Sequence, residues 1–190
     1  MNACRLLIGL GNPGAEYSET RHNAGFWLLD RLAQQGGVSF SSESKFFGAT
    51  AKVSVGGAPL WLLKPMTFMN RSGQSALAIA QFYKIDPSEI IVVHDELDIA
   101  PGQIRLKFDG GHGGHNGLRD LHRIFGSGYG RIRVGIGHPG HKDKVHGYVL
   151  SKPSSDDRRL IDDAIDDTLS YQSEIMAGNW EQAMNALHQR

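Results

Sequence analysis

Three short stretches of this 190-residue chain hold side chains suited to acid–base or metal chemistry. They are His22 in TRHN, the run His94-Asp95-Glu96-Leu97-Asp98, and His112 and His115 in GGHGGHNG. No serine occupies a G-x-S-x-G elbow, and the single cysteine, Cys4, has no base near it in sequence, so a covalent nucleophile has no candidate. A hydrolytic reaction would then use water, activated either by a metal or by a positioned base. HDELD and His112-x-x-His115 supply ligand types for a metal, but H-x-x-H in a glycine loop lacks the i, i+4 helical pairing of H-E-x-x-H, and no cysteines add to it. For a base, Asp95 ends an apolar run that reads as a buried parallel strand, the place where open α/β sheets bind ligands. A carboxylate there can accept one N–H of His22, fix its tautomer and stabilise the imidazolium formed when the other nitrogen takes a proton. By strand alternation His94 points to the opposite face.

Three asparagines accompany these groups: Asn12 in GLGNPG, Asn70 in KPMTFMNRSG and Asn116 in GGHGGHNG. A side-chain amide carries a donor and an acceptor in fixed geometry, able to hold a carbonyl, a water or an oxyanion; asparagine is equally a turn and cap residue, and Asn116 is placed to cap a helix. GLGNPG has the G-x-G-x-x-G spacing of a dinucleotide loop at Gly9, Gly11 and Gly14. However, Pro13 interrupts it, no helical stripe begins directly after Gly14, and no acid ends the next strand as that fingerprint requires. A tight turn that presents Asn12 and brings Arg21, His22 and Asn23 back over the sheet edge fits better, and no cofactor is expected. Five glycines in residues 110–117 make a loop able to approach a substrate closely, to form an anion nest or to move as a lid.

The elements that must position these groups follow from periodicity. Arg5 to Leu10 reads as a short buried strand, Phe26 to Gln34 as a helix stopped by Gly36-Gly37, and Ala49 to Val55 with Leu60 to Leu63 as a hairpin. Ala76, Ile79, Ala80 and Tyr83 mark a second helix, and the β-branched run Ile90 to Val93 a central strand. Gln103 to Phe108 and Arg131 to Ile136 alternate, with Arg105, Lys107, Arg131 and Arg133 on the non-apolar face. Leu118, Leu121 and Phe125 mark a short helix between them, and two tail helices start near Leu160 and Trp180. The expectation is one α/β domain over 1–190, a twisted mixed sheet with helices on both faces.

Formal charge is zero, which speaks against indiscriminate coating of nucleic acid, but the distribution is uneven. Arg105 to Lys144 holds eight Lys/Arg against three Asp; from Pro153 onward eight acids face three arginines, as expected of a solvated acidic tail. The basic segment beside the glycine loop points to a phosphate-bearing partner. A noncatalytic RNA-binding domain is the alternative from another class, although aromatics for base stacking are few, 8%. One cysteine, no apolar run near the ~20 residues of a membrane span and no signal-peptide pattern lead to the expectation of a cytoplasmic protein without disulfides.

Taken together, GLGNPGAEYSETRHNAG, KPMTFMNRSG, HDELD, GGHGGHNGLRD and RIRVGIGHPG resemble, in order and spacing, the bacterial-type peptidyl-tRNA hydrolases over most of residues 6–150. The resemblance implies a monomeric, metal-free enzyme that cleaves the ester between a peptide and the 3′-terminal ribose of tRNA. It also implies His22 as general base, Asp95 as its orienting carboxylate, and Asn12, Tyr17, Phe68, Met69, Asn70 and Asn116 as substrate contacts. Arg105, Lys107, Arg133 and Lys142 would bind tRNA phosphates. Two departures from the family pattern stand out: Arg105 where relatives often have lysine, and His138 where some have arginine. Neither touches the expected His22–Asp95 pair.

Overall fold

The computed structural model describes residues 1–189. Its strands are β1 (Leu6–Gly9), β2 (Ser41–Glu43), β3 (Gly48–Val55), β4 (Ala58–Pro65), β5 (Ile90–Glu96), β6 (Ile104–Phe108) and β7 (Gly130–Gly135), in the sheet order β2-β3-β4-β1-β5-β7-β6. The central β4-β1-β5-β7 pairs are parallel, and β2, β3 and β6 add antiparallel edges, so the sheet is mixed as expected. The helices are α1 (Ala24–Gln35), α2 (Ser72–Tyr83), α3 (Asn116–Phe125), α4 (Val145–Val149), α5 (Ser155–Leu169), α6 (Gln172–Met176) and α7 (Trp180–Leu187).

Strand alternation divides the core in two. Leu7, Ile91 and Val93 pack with Leu28, Leu29 and Leu32 of α1 and with Ile161 and Ile165 of α5. Leu6, Ile8, Ile90 and Val92 meet Ala76 and Ile79 of α2 and Leu118 and Leu121 of α3 on the other face. Both faces of β1 and β5 are therefore dry, which their unbroken Leu/Ile/Val runs require. The first glycine motif serves this packing: a Cβ on Gly25 would lie 2.4 Å from the Val93 carbonyl oxygen, and one on Gly9 would lie 2.6 Å from that of Gly25. The start of α1, at Ala24 and so ten residues past Gly14, thus presses directly on β1 and β5, and no α-helix begins directly after the glycine motif as a dinucleotide loop would have it.

Four sequence expectations need correction. Among the described residues four α-helices, not two, follow β7, because α4 and α6 are too short to show a stripe. The tail is not merely solvated: Asp166 pairs with Arg31 of α1 at 2.6 Å, and Arg158 pairs with Asp162 while lying 3.6 Å from the Trp27 ring centre. Asn116 is the first residue of α3, and the cap is His115, whose ring accepts from the Gly117 and Leu118 N–H groups. Arg131 is buried rather than part of an exposed basic face. Its guanidinium donates to the carbonyls of Gly110 and Gly111, both at 2.7 Å, and stacks on Tyr129.

Candidate active site

The parallel strands β4, β1, β5 and β7 end at the same side of the sheet, and their following segments enclose a cavity of about 670 Å³. Asn12 enters it after β1, Phe68, Met69 and Asn70 after β4, Asp95 from the end of β5, and His138, Lys142 and His146 after β7. His22 arrives on a 3-10 turn, Arg21–Asn23, that runs straight into α1, and His115 and Asn116 arrive at the start of α3.

Asp95 is the centre of this arrangement. Its Oδ2 lies 2.8 Å from His22 Nδ1, and its Oδ1 lies 2.8 Å from His115 Nε2. The His115 tautomer follows from its cap: Nδ1 accepts two backbone N–H groups, at 3.1 and 3.3 Å, so the ring proton sits on Nε2 and is donated to Asp95. His22 is then the second donor to the carboxylate, through Nδ1–H, and its Nε2 is left for the cavity. Burial on its own would push the Asp95 carboxyl up, but the two histidines outweigh it and hold the group well below the usual carboxylate range. For His22, burial opposes charging, while the charge and hydrogen bond of Asp95 favour it; the net direction is up from 6.5. His94 does not leave the site as strand alternation suggests: it lines the same cavity with its ring 5.2 Å from that of His115, donates Nδ1–H to the Asp95 carbonyl oxygen at 2.8 Å, and is pushed by burial to about 3, so it stays neutral.

Asn12 is held by partners on three of its groups. Its N–H donates to Asn23 Oδ1 at 2.8 Å, its carbonyl accepts from Asn23 Nδ2 at 2.9 Å, and its own Oδ1 accepts from the Met69 N–H at 2.8 Å. With Oδ1 engaged, Nδ2 is the end of the Asn12 amide that offers donors to a ligand. Asn70 and Asn116 are exposed and line the cavity. Tyr17 does not line it; its ring lies edge-on to Phe68, 6.4 Å away at the mouth. Of the basic residues, Lys142 lines the cavity, whereas Arg105 and Arg133 are cross-strand neighbours on β6 and β7, with Lys107 two residues along.

Two residues of this constellation escaped sequence reasoning. The sequence marks His115 only as a metal-ligand candidate, and its role beside Asp95 depends on α3 starting at Asn116, one residue earlier than a cap at Asn116 would give; a histidine directly before a helical stripe is the signal. Asn23 stood next to His22 with nothing to distinguish it. Among the described residues, His22, Asp95 and His115 are the one group that brings three ligand-type atoms within 4.8 Å. The donor set suits a metal poorly: a cation on His115 Nε2 would send the remaining ring proton to Nδ1, against two backbone N–H donors. His112 of the H-x-x-H pair is not in that group.

A family model described as "Peptidyl-tRNA hydrolase" matches residues 6–190. A curated peptidyl-tRNA hydrolase of Neisseria meningitidis serogroup B is 55% identical over 190 residues, covering 100% of this chain and 99% of the relative. One from Stenotrophomonas maltophilia is 55% identical over 189 residues, 99% of this chain and 98% of its own. The crystal structure of peptidyl-tRNA hydrolase from Acinetobacter baumannii superposes with a TM-score of 0.95 at 49% identity, covering 98% of this chain and 95% of that one.

Proposed function

Because the chain belongs to the peptidyl-tRNA hydrolase family, it is an enzyme that hydrolyses peptidyl-tRNA, and we propose that His22 activates the attacking water. Family membership sets aside the alternative of a noncatalytic RNA-binding domain. The single observation that carries the mechanism is the 2.8 Å contact from His22 Nδ1 to a buried carboxylate, which leaves Nε2 as the base. Water bound at Nε2 gives up a proton as its oxygen attacks the ester carbonyl that joins the peptide to the 3′-terminal ribose. Asp95 offsets the charge of the resulting imidazolium. Asn12 Nδ2 donates to the carbonyl oxygen as it gains negative charge. Collapse breaks the carbon–ribose oxygen bond, and the His22 proton passes to the departing ribose oxygen.

His115 supports this through the other oxygen of the Asp95 carboxylate, its ring 4.9 Å from that of His22. By occupying Oδ1 it fixes the carboxylate plane, so that Oδ2 is presented to His22. Asn70, Asn116, Met69 and Phe68 hold the peptide end and the water, with Tyr17 supporting Phe68. Arg105, Lys107, Arg133 and Lys142 take tRNA phosphates on the β7 side. All of these groups come from one chain, so a monomer suffices, and neither metal nor cofactor is needed. Among the described residues no helix is long and apolar enough to cross a membrane; the substrate belongs to translation, and the compartment proposed is the cytoplasm.

The test is release of an N-acetylated amino acid from its tRNA in the presence of a chelator, wild type beside His22→Ala. Rapid release by wild type, none by the variant, and retained tRNA binding by both is the expected outcome. Near-normal turnover by the variant would remove His22 from the mechanism; sensitivity of the wild type to chelator would remove the metal-free reading.

A further inference from the structure

Resting on the assignment of the ester to this cavity, we infer that the peptide leaves it over an apolar track made by Phe68, Met66 and Phe47. Substrates with apolar residues upstream of the ester are therefore cleaved more efficiently. Six large hydrophobic side chains are exposed among the described residues, and three of them are these: Phe68 at 59%, Phe47 at 46% and Met66 at 38%. Scattered exposed hydrophobics need no explanation, but a run of them leading out of a cavity marks a contact surface.

The three residues are neighbours in the backbone. Phe68 and Met69 line the cavity, and Met66 lies two residues back, no more than about 7 Å along the chain. The Met66 N–H donates to the Phe47 carbonyl at 3.0 Å, which sets those two residues side by side where β3 begins and β4 ends. Phe47 also adopts a left-handed backbone, φ 50°, which a bulky residue occupies under strain. That geometry gives no reason for an aromatic side chain; contact with a ligand does.

Sheet order identifies the occupant. β4 and β7 flank the β1–β5 pair on opposite sides, so the cavity has a β4 side carrying Phe68 and Met69 and a β7 side that sets Lys142, His138 and His146 beside Val145, Val149 and Leu150; the ionisable bases of the rim lie on the β7 side and none on the β4 side. A peptidyl-tRNA is polyanionic on one side of its ester and can be apolar on the other. The three track residues offer nothing to a phosphate and a good deal to leucine or phenylalanine side chains. Mutual burial of about 60 Å² of apolar surface corresponds to about a tenfold effect on binding.

Three substrates with the same C-terminal residue test this. One is the N-acetylaminoacyl-tRNA, and two are N-acetyl-tripeptidyl-tRNAs with either two leucines or two serines upstream. The wild type should show kcat/KM about tenfold higher for the leucine than for the serine substrate. In the Phe47→Ser/Met66→Ser variant that ratio should fall to about two, with release from N-acetylaminoacyl-tRNA unchanged. A second readout needs no variant: the free leucine peptide should inhibit the wild type about tenfold more tightly than the free serine peptide. Equal wild-type rates and equal inhibition by the two peptides, or a preference that survives both substitutions, would overturn the track. Failure of the wild type to cleave even N-acetylaminoacyl-tRNA would instead overturn the site assignment, and the track with it.

Discussion

Asn23→Ala should damage catalysis although Asn23 is 1% exposed and is given no contact with the substrate. Its amide is the partner of both backbone groups of Asn12, at 2.8 and 2.9 Å, and removing it leaves a buried N–H and C=O with nothing to bond. At about 1–3 kcal/mol for each orphaned group, partly relieved by water entering the vacated space, the loss of stability should be about 2–4 kcal/mol. For a chain of this size that lowers Tm by roughly 5–12 °C. The kinetic effect is separable. Loss of an oxyanion donor costs about 10²–10³ in kcat, and a displaced Asn12 keeps part of its function, so a fall of about 30-fold in kcat with little change in KM is expected. The assay is single-turnover release of N-acetyl amino acid, well below the variant's Tm, for Asn23→Ala, Asn12→Ala and the double variant. If Asn23 acts through Asn12, adding Asn23→Ala to Asn12→Ala should cost almost nothing, a coupling of about 2 kcal/mol. Additive losses, or an unchanged kcat in Asn23→Ala, would refute the positioning argument.

Asp95→Asn should retain some turnover but lose about 10²–10⁴ in kcat, because an amide cannot accept from both histidines and the His22 tautomer is no longer fixed; a rate within threefold of wild type would contradict this. The pH profile of kcat/KM should have its acid limb above 6.5, since Asp95 favours the charged form of His22 and the base must be neutral to act; a limb below 6.5 would count against His22. Stability should follow Asp95 with the opposite sense. Its folded-state value is depressed, so its contribution is complete above the unfolded value of 3.8 and is lost as pH falls below that, a loss that Asp95→Asn should flatten in acid denaturation curves. Arg133→Ala should raise KM for peptidyl-tRNA, leave single-turnover chemistry near wild type, and reduce the slope of log affinity against log salt by about one; an unchanged slope would remove Arg133 from the phosphate contacts.

The α/β class was legible because the signals were local. Ile90 to Val93 could only be a central strand, and Ala76, Ile79, Ala80 and Tyr83 only a helix face. The His22–Asp95 pair was legible for a topological reason: a carboxylate at the end of such a strand faces whatever loop crosses the sheet edge. What escaped depended on register or on distance in the chain. Whether His115 or Asn116 caps α3 turns on one residue, and that residue decides whether the histidine reaches Asp95. Arg131 alternates with apolar residues just as Arg133 does, and only the folded glycine loop, bringing the Gly110 and Gly111 carbonyls to its guanidinium, makes it interior. Asn23 bridges 11 residues to Asn12 through backbone atoms, a contact that leaves no trace in side-chain pattern.

The Arg131 clamp also sets the mechanics of the glycine-rich segment. One end is tethered by the guanidinium on the carbonyls of Gly110 and Gly111, and the other by the His115 ring, held between Asp95 and the start of α3. Between those two anchors lie only His112, Gly113 and Gly114, the glycines already at φ 58° and 83°. A span of three residues fixed at both ends can rock in place but has no slack to swing as a hinged flap. Such motions are over in nanoseconds to microseconds. Any motion of this span at the rim of the cavity is therefore expected to be local rocking and not a hinged closure over His22.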